Sequence, residues 1–128
     1  MIAIDTNILV RLVTRDDEDQ AIRALTLFQH NEIYIGKTVL LETEWVLRFC
    51  YELSRTTILD TLKNTVGLVQ VTVEDEAAVA QALAFFEDGM DFADALHLAS
   101  CKKAEKFATF DESMKKRAIS SSLQVVLV

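Results

Sequence analysis

Proline is absent from this 128-residue chain, glycine occurs three times and cysteine twice. A chain so poor in Pro and Gly is neither collagen-like nor a low-complexity linker. Gly36, Gly67 and Gly89 stand apart, so there is no glycine-rich loop to cradle a phosphate. Cys50 and Cys101 lie far apart in apolar helical patterns, and two such residues make no disulfide framework; buried thiols of a cytoplasmic protein are the expectation. Cations are also short, 13 Lys and Arg against 20 Asp and Glu, for a formal charge of −7. A protein that coats nucleic acid electrostatically is basic, so that class is disfavoured. The balance weighs less against a nuclease, whose metal-holding carboxylates count as negative only until the cation arrives. Long apolar runs are missing too. Glu42, Thr43, Glu44 and Arg48 interrupt the stretch from Val39 to Tyr51, well short of the ~18–20 residues of a membrane span. The opening Met1-Ile2-Ala3-Ile4-Asp5 carries neither a basic lead nor a long apolar segment, so no secretory signal is expected.

What the chain does have is core material: 51% of its residues are hydrophobic. With no repeat, low-complexity stretch or composition break, residues 1–128 read as a single domain, within the usual ~100–150 residues. The pattern alternates between short strands and helices. Strands are expected at Ile2–Ile4, Ile33–Ile35, Val69–Val73, Phe107–Phe110 and Leu123–Val128. Helices are expected over Asn7–Thr14, from Asp16-Asp17-Glu18 to about His30, and over Thr38–Leu53, Arg55–Leu68, Glu74–Asp88, Asp91–Glu105 and Glu112–Ile119. Such alternation predicts an α/β fold, a three-layer α/β/α sandwich with a mainly parallel central sheet. In open parallel sheets, ligands bind beyond the carboxyl ends of the strands. Asp5 stands at such an end after the first strand, and Asp111 after Phe107–Phe110.

Each carboxylate has an ordinary structural role to weigh against a chemical one. Asp5-Thr6-Asn7 supplies three good helix caps in a row, more than one helix start needs. Glu42 has Thr38, Val39, Trp45 and Val46 at three and four positions and Phe49 a turn further on. It is therefore expected in the middle of a buried apolar stripe without a basic partner, a costly placement unless something compensates it. Glu44 is expected on a solvated face, paired with Arg48 at the i,i+4 spacing. Asp91 and Asp94, three apart at a helix start, face the same way, and could serve as cap and first-turn acid. Asp111 could likewise be a turn or cap residue. His97 follows Asp94 by three residues and reads as a packed or supporting group, and His30 as a surface residue near a helix end. No serine or cysteine nucleophile arrangement is present. The ordered set of acids, with almost no His or Cys, suits a hard oxygen-seeking cation such as Mg²⁺ or Mn²⁺ rather than zinc.

Taken in order, Ile4-Asp5-Thr6-Asn7, Val39-Leu40-Leu41-Glu42 with Trp45-Val46-Leu47, Asp91-Phe92-Ala93-Asp94-Ala95-Leu96 and Thr109-Phe110-Asp111 resemble the PIN-domain family. The resemblance is in particular to the VapC-type toxin ribonucleases of bacterial toxin–antitoxin pairs, and covers essentially the whole chain. It implies that Asp5, Glu42, Asp94 and Asp111 form a catalytic acidic quartet. Asp5, Asp94, Asp111 and Asp91 would ligate Mg²⁺ or Mn²⁺, with Asn7 and Thr109 orienting carboxylates or a water. It implies hydrolysis of RNA phosphodiesters, a cognate VapB-like antitoxin as partner, a homodimer and no membrane. Arg11, Arg15, Lys102, Lys103 and Lys115–Arg117 are candidate phosphate contacts, although solvated helix faces account for most of them. A housekeeping RNA-processing nuclease and a non-catalytic PIN scaffold are the alternatives. A haloacid-dehalogenase-like phosphatase would want a second Asp two residues after Asp5, where Asn7 stands. A receiver domain would want a strand-end Lys that is not found.

Overall fold

The computed structural model describes residues 1–118 and 121–128 and divides into two compact units, Met1–Glu76 and Ala77–Val128. In the first unit, strand β1 (Ile2–Ala3) leads to helices α1 (Thr6–Thr14) and α2 (Glu18–His30). Then follow β2 (Ile33–Ile35), α3 (Lys37–Phe49), α4 (Arg55–Val66) and β3 (Val71–Val73). The three strands form one sheet in the order β1-β2-β3, each pair parallel, with Ile2 opposite Ile33 and Ile33 opposite Val71. Ile33 and Ile35 of the central strand are fully buried, as expected of a parallel strand covered on both faces. The helices bury the apolar faces that their sequences supply. Leu9 and Val10 of α1, Ala24 and Phe28 of α2, Leu40 and Leu47 of α3, and Ile58 and Leu62 of α4 are all inside. α1 packs against α2 and α3, and α3 against α4.

Helix α5 (Glu76–Glu87) crosses into the second unit, which continues with α6 (Phe92–Ala99), β4 (Lys106–Thr109), α7 (Glu112–Arg117) and β5 (Gln124–Leu127). β4 and β5 pair in parallel from Lys106 opposite Gln124 to Thr109 opposite Leu127. Phe86 meets Phe92 edge to face, 5.4 Å between ring centroids. Between α5 and α6 the chain reverses through Gly89 at φ +105°, where the Phe86 and Phe85 carbonyls accept from the Gly89 and Met90 N–H groups. A side chain there would also collide with the Arg117 guanidinium, which donates to the Asp88 carbonyl.

The α/β class and parallel pairing match the sequence expectation, and several element ends move. α3 stops at Phe49 rather than Leu53. Cys50 caps it, and Glu52 at φ 53° lets the Leu53 N–H reach the Leu47 carbonyl, which reverses the chain. Cys50 is consequently exposed, and Cys101, past the end of α6 (Phe92–Ala99), is half-buried, so the expected buried thiols are not found. α6 ends at Ala99, not Glu105, because the buried stripe runs out there and Ser100, Lys102 and Lys103 are all exposed. Val69 and Gln70 belong to a turn closed by the Val71 N–H on the Leu68 carbonyl, so β3 starts late and Val69 is wholly exposed. Ile119, the expected end of the last helix, lies outside the described residues. Among the described residues no helix is long and apolar enough to cross a membrane.

Candidate functional site

In the first unit the strand ends are where the candidate side chains gather. Pairing of β1 carries on through the Ile4 N–H to the Tyr34 carbonyl, and the next residue, Asp5, is the N-cap of α1. Its Oδ1 accepts the Ile8 N–H at 3.1 Å, so the cap uses one carboxylate oxygen of two. At the end of β2, Gly36 has no side chain with which to cap α3. Glu74, just past β3, supplies the cap instead, its Oε1 accepting from the Lys37 N–H at 2.9 Å. Asp5, Thr6 and Asn7 then share an open cleft of about 450 Å³ with Thr38, Val39, Glu42 and Val46 of α3. A second hollow of about 370 Å³ is also lined by Asp5 and Asn7, together with Ile8, Arg11, Gln20 and Arg23.

The two glutamates of α3 exchange the environments expected for them. Glu42 is exposed, as are Trp45 (51%) and Phe49 (56%), and Glu44 is 1% exposed. The buried face of α3 runs through Leu40, Thr43, Glu44 and Leu47, not through Val39, Glu42 and Phe49. Glu44 can be inside because the half-exposed Arg48 reaches it. Arg48 Nε sits 2.8 Å from Oε2 as an ion-pair contact, and Nη2 donates to Oε1 at 3.1 Å. The guanidinium also lies 4.5 Å above the Phe49 ring. The pair therefore belongs to the fold, and Glu42 reaches the cleft beside Asp5 because it is exposed.

Arg11, a candidate phosphate contact, is already engaged. It donates from Nε to Gln20 Oε1 at 2.7 Å and from Nη1 to Asp16 and to Tyr51 Oη, both at 3.1 Å. Tyr51 in turn donates to Asp16 Oδ2 at 2.6 Å. The Tyr51 hydrogen bond, ahead of the Thr14 and Arg11 contacts, holds the Asp16 carboxyl below its ordinary pKa, and Tyr51, then Asp16, raise that of Arg11. Sequence reading missed this network because its members are up to forty residues apart. Its one local signal was Asp16 directly after the first helix.

In the second unit Asp94 feels the charges of Asp91 and Asp111. Asp91 caps α6, its Oδ2 accepting from the Asp94 N–H at 3.3 Å. Asp111 caps α7, its Oδ1 accepting from the Ser113 and Met114 N–H groups at 2.8 and 3.2 Å. Thr109, at the end of β4, takes the Asp111 N–H on its hydroxyl at 3.1 Å and so fixes the turn that carries that carboxylate. The Asp94 carboxyl is held above its ordinary pKa, first by partial burial, then by the negative charges of Asp91 and Asp111, with exposed His97 opposing. His30 is exposed at the end of α2.

The PIN-domain family model matches residues 2–119. This chain is a PIN domain. Its parallel strands and the seven helices among the described residues agree with that fold. PIN domains are a superfamily of nucleases, hydrolases of nucleic acid that typically use divalent metals. No curated protein gives a significant match to the sequence. The donor chemistry of this PIN domain fits a hard divalent cation. Asp91, Asp94 and Asp111 offer only oxygen, and the repulsion felt at Asp94 is what a cation relieves. Among the described residues no three His, Cys, Asp or Glu side chains are drawn close enough to grip one ion directly.

Proposed function

We propose that this PIN domain, residues 1–128 acting together, is a metal-dependent endoribonuclease, with Asp5, Glu42, Asp94 and Asp111 as its hydrolytic residues. The observation that carries the reading is the oxygen-only set of Asp91, Asp94 and Asp111 in a chain of this family, with the Asp94 anion disfavoured first by partial burial and then by the charges of Asp91 and Asp111. A carboxylate held where its charge is disfavoured, as Asp94 is, is poised for a cation rather than for a structural ion pair. Asp5, Asp91, Asp94 and Asp111 would hold Mg²⁺ or Mn²⁺. When bound, such an ion supplies positive charge to a scissile phosphate and acidifies a coordinated water. Asp5, Asp91 and Asp111 each spend one oxygen on a helix cap, which locks the carboxylate's position while the helix end donates to it. Glu42, exposed in the cleft that Asp5 lines, can take a proton on its carboxylate from the attacking water. Asn7 shares that cleft, and the Thr109 hydroxyl steadies Asp111 through its backbone.

Purified protein should cut structured RNA with Mg²⁺ or Mn²⁺ and stop in EDTA; equal cleavage with and without chelator would overturn the proposal. The resemblance to VapC-type proteins extends the reading to a cytoplasmic toxin of a type II toxin–antitoxin pair, a homodimer held inactive by a VapB-like antitoxin.

A further inference from the structure

Phe110 is 82% exposed, and it stands between Thr109 and Asp111. A lone surface hydrophobe is unremarkable by itself; the backbone that holds this one is what matters. On one side, Thr109 is fixed by its pairing with Leu127 and by the Val128 N–H on its carbonyl at 3.0 Å. On the other, Asp111 is fixed by its two cap hydrogen bonds, by the Lys115 N–H on its carbonyl, and by its own N–H on the Thr109 hydroxyl, which bridges directly across Phe110. The chain is thus pinned on both sides of a ring that is left almost entirely in water. Removing that ring would leave every one of these hydrogen bonds in place, so the turn does not need it.

The segment of chain that carries the ring is rich in cations. The second unit carries all six of its cations between Lys102 and Arg117, namely Lys102, Lys103, Lys106, Lys115, Lys116 and Arg117, every one exposed. The same segment holds only three acids, Glu105, Asp111 and Glu112, in a chain whose formal charge is −7. An exposed aromatic on a rigid turn, set in a locally basic segment and adjoining a carboxylate of the site, is the combination that binds unpaired nucleic acid. Backbone phosphates meet cations, and a base stacks on the ring whatever its identity.

Resting on the ribonuclease reading above, we propose that Phe110 is a stacking platform for an unpaired base of the RNA substrate, flanking the phosphate served by Asp94 and Asp111.

Binding of a short, unstructured, fluorescein-labelled oligoribonucleotide, followed by anisotropy in Ca²⁺, tests this separately from cleavage. Phe110→Ala should weaken binding about 5- to 150-fold, the range for losing one base–aromatic stack. Phe110→Tyr should stay within about 3-fold of wild type, since it keeps the ring. The same oligonucleotide annealed to its complement should bind wild type and Phe110→Ala alike. Equal affinity of wild type and Phe110→Ala for the single strand overturns the proposal, and so does an equal loss on duplex. A change in molecular mass on Phe110→Ala with RNA affinity intact assigns the ring to a protein contact, and overturns it as well. Failure of the ribonuclease reading looks different: no metal-dependent cleavage, with the Phe110-dependent binding still present.

Discussion

Replacing Arg48 with methionine removes a charge from α3 while keeping most of the side chain's stem, and its effect should depend on pH in a calculable way. Glu44 is 1% exposed, and the Arg48 side chain, 40% exposed, is its ion-pair partner at 2.8 Å. Breaking such a pair from one side typically costs ~3–5 kcal/mol, because the remaining charge stays desolvated. Protonation sets a ceiling on that cost. A glutamic acid of ordinary pKa near ~4.3 can be neutralised at pH 7 for ~3.7 kcal/mol and at pH 5 for only ~1 kcal/mol, at ~1.36 kcal/mol per pH unit. The contact with the exposed Phe49 ring adds a pH-independent ~0.5 kcal/mol. Arg48→Met should therefore lose on the order of 3 kcal/mol at pH 7, a melting shift on the order of 10 °C, and roughly half of that at pH 5. The sign follows from linkage. In the variant the folded state holds a proton that the unfolded state releases above its own pKa, so stability falls as pH climbs from about 4 to 7. Urea denaturation followed by circular dichroism at the two pH values measures this. Glu44→Gln combined with Arg48→Met should abolish the pH dependence. An equal deficit at pH 5 and pH 7 in the single variant would refute the buried charged pair, and with it the separation of a folding glutamate, Glu44, from a chemical one, Glu42.

Other expectations follow from the acids themselves. The raised pKa of Asp94 contributes stability that is present below its unfolded value near ~4 and lost as pH rises through the folded one. Asp94→Asn should accordingly make the metal-free protein more stable at neutral pH while ending cleavage, and a lower melting temperature in EDTA would contradict this. Asp5→Asn keeps a good N-cap and should hold stability within ~0.5 kcal/mol yet lose activity, whereas Asp5→Ala should cost ~1 kcal/mol as well. Urea midpoints alongside RNA cleavage by both variants distinguish cap from chemistry. Expression of the chain alone in a bacterium should arrest growth, and Asp94→Asn should relieve the arrest; normal growth with active wild-type protein would favour a housekeeping nuclease.

Much of the fold was legible because its signals are local. Alternating apolar segments announced strands and helices, and Asp17, Ser54 and Asp91 cap helices near where their sequence context placed the starts. The phase of α3 was not legible. Val39 and Val46 are seven residues apart, and so are Leu40 and Leu47, so the helix offers two apolar stripes and periodicity cannot say which goes inside. Charge misled at the same point. An i,i+4 Glu–Arg pair on a helix is usually a solvated one, but a Glu whose charge is met by a half-exposed Arg can itself go inside, and here Glu44 does. The resemblance to the family pointed to Glu42 through its motif; the physical argument offered for it, burial in an apolar stripe, belongs instead to its neighbour. The Arg11, Asp16 and Tyr51 network was beyond reach because it depends on where the turn after α3 delivers Tyr51.

Helix capping and metal binding present themselves in sequence as rival explanations for Asp5, Asp91 and Asp111, and the geometry removes the rivalry. All three are caps, and each cap hydrogen bond falls on a single oxygen: Oδ1 of Asp5, Oδ2 of Asp91 and Oδ1 of Asp111. A carboxylate has about four lone-pair sites, so one or two backbone N–H donors leave capacity for a further ligand. Capping also removes rotational freedom that the side chain would otherwise lose on ligation. Asp94 is different: it sits in the first turn of α6, partly desolvated, and takes the repulsion of Asp91 and Asp111. Two carboxylates fixed by caps and a third made uncomfortable by them form an arrangement whose relief comes from outside the chain. That is why the caps support the proposed site rather than explain it away.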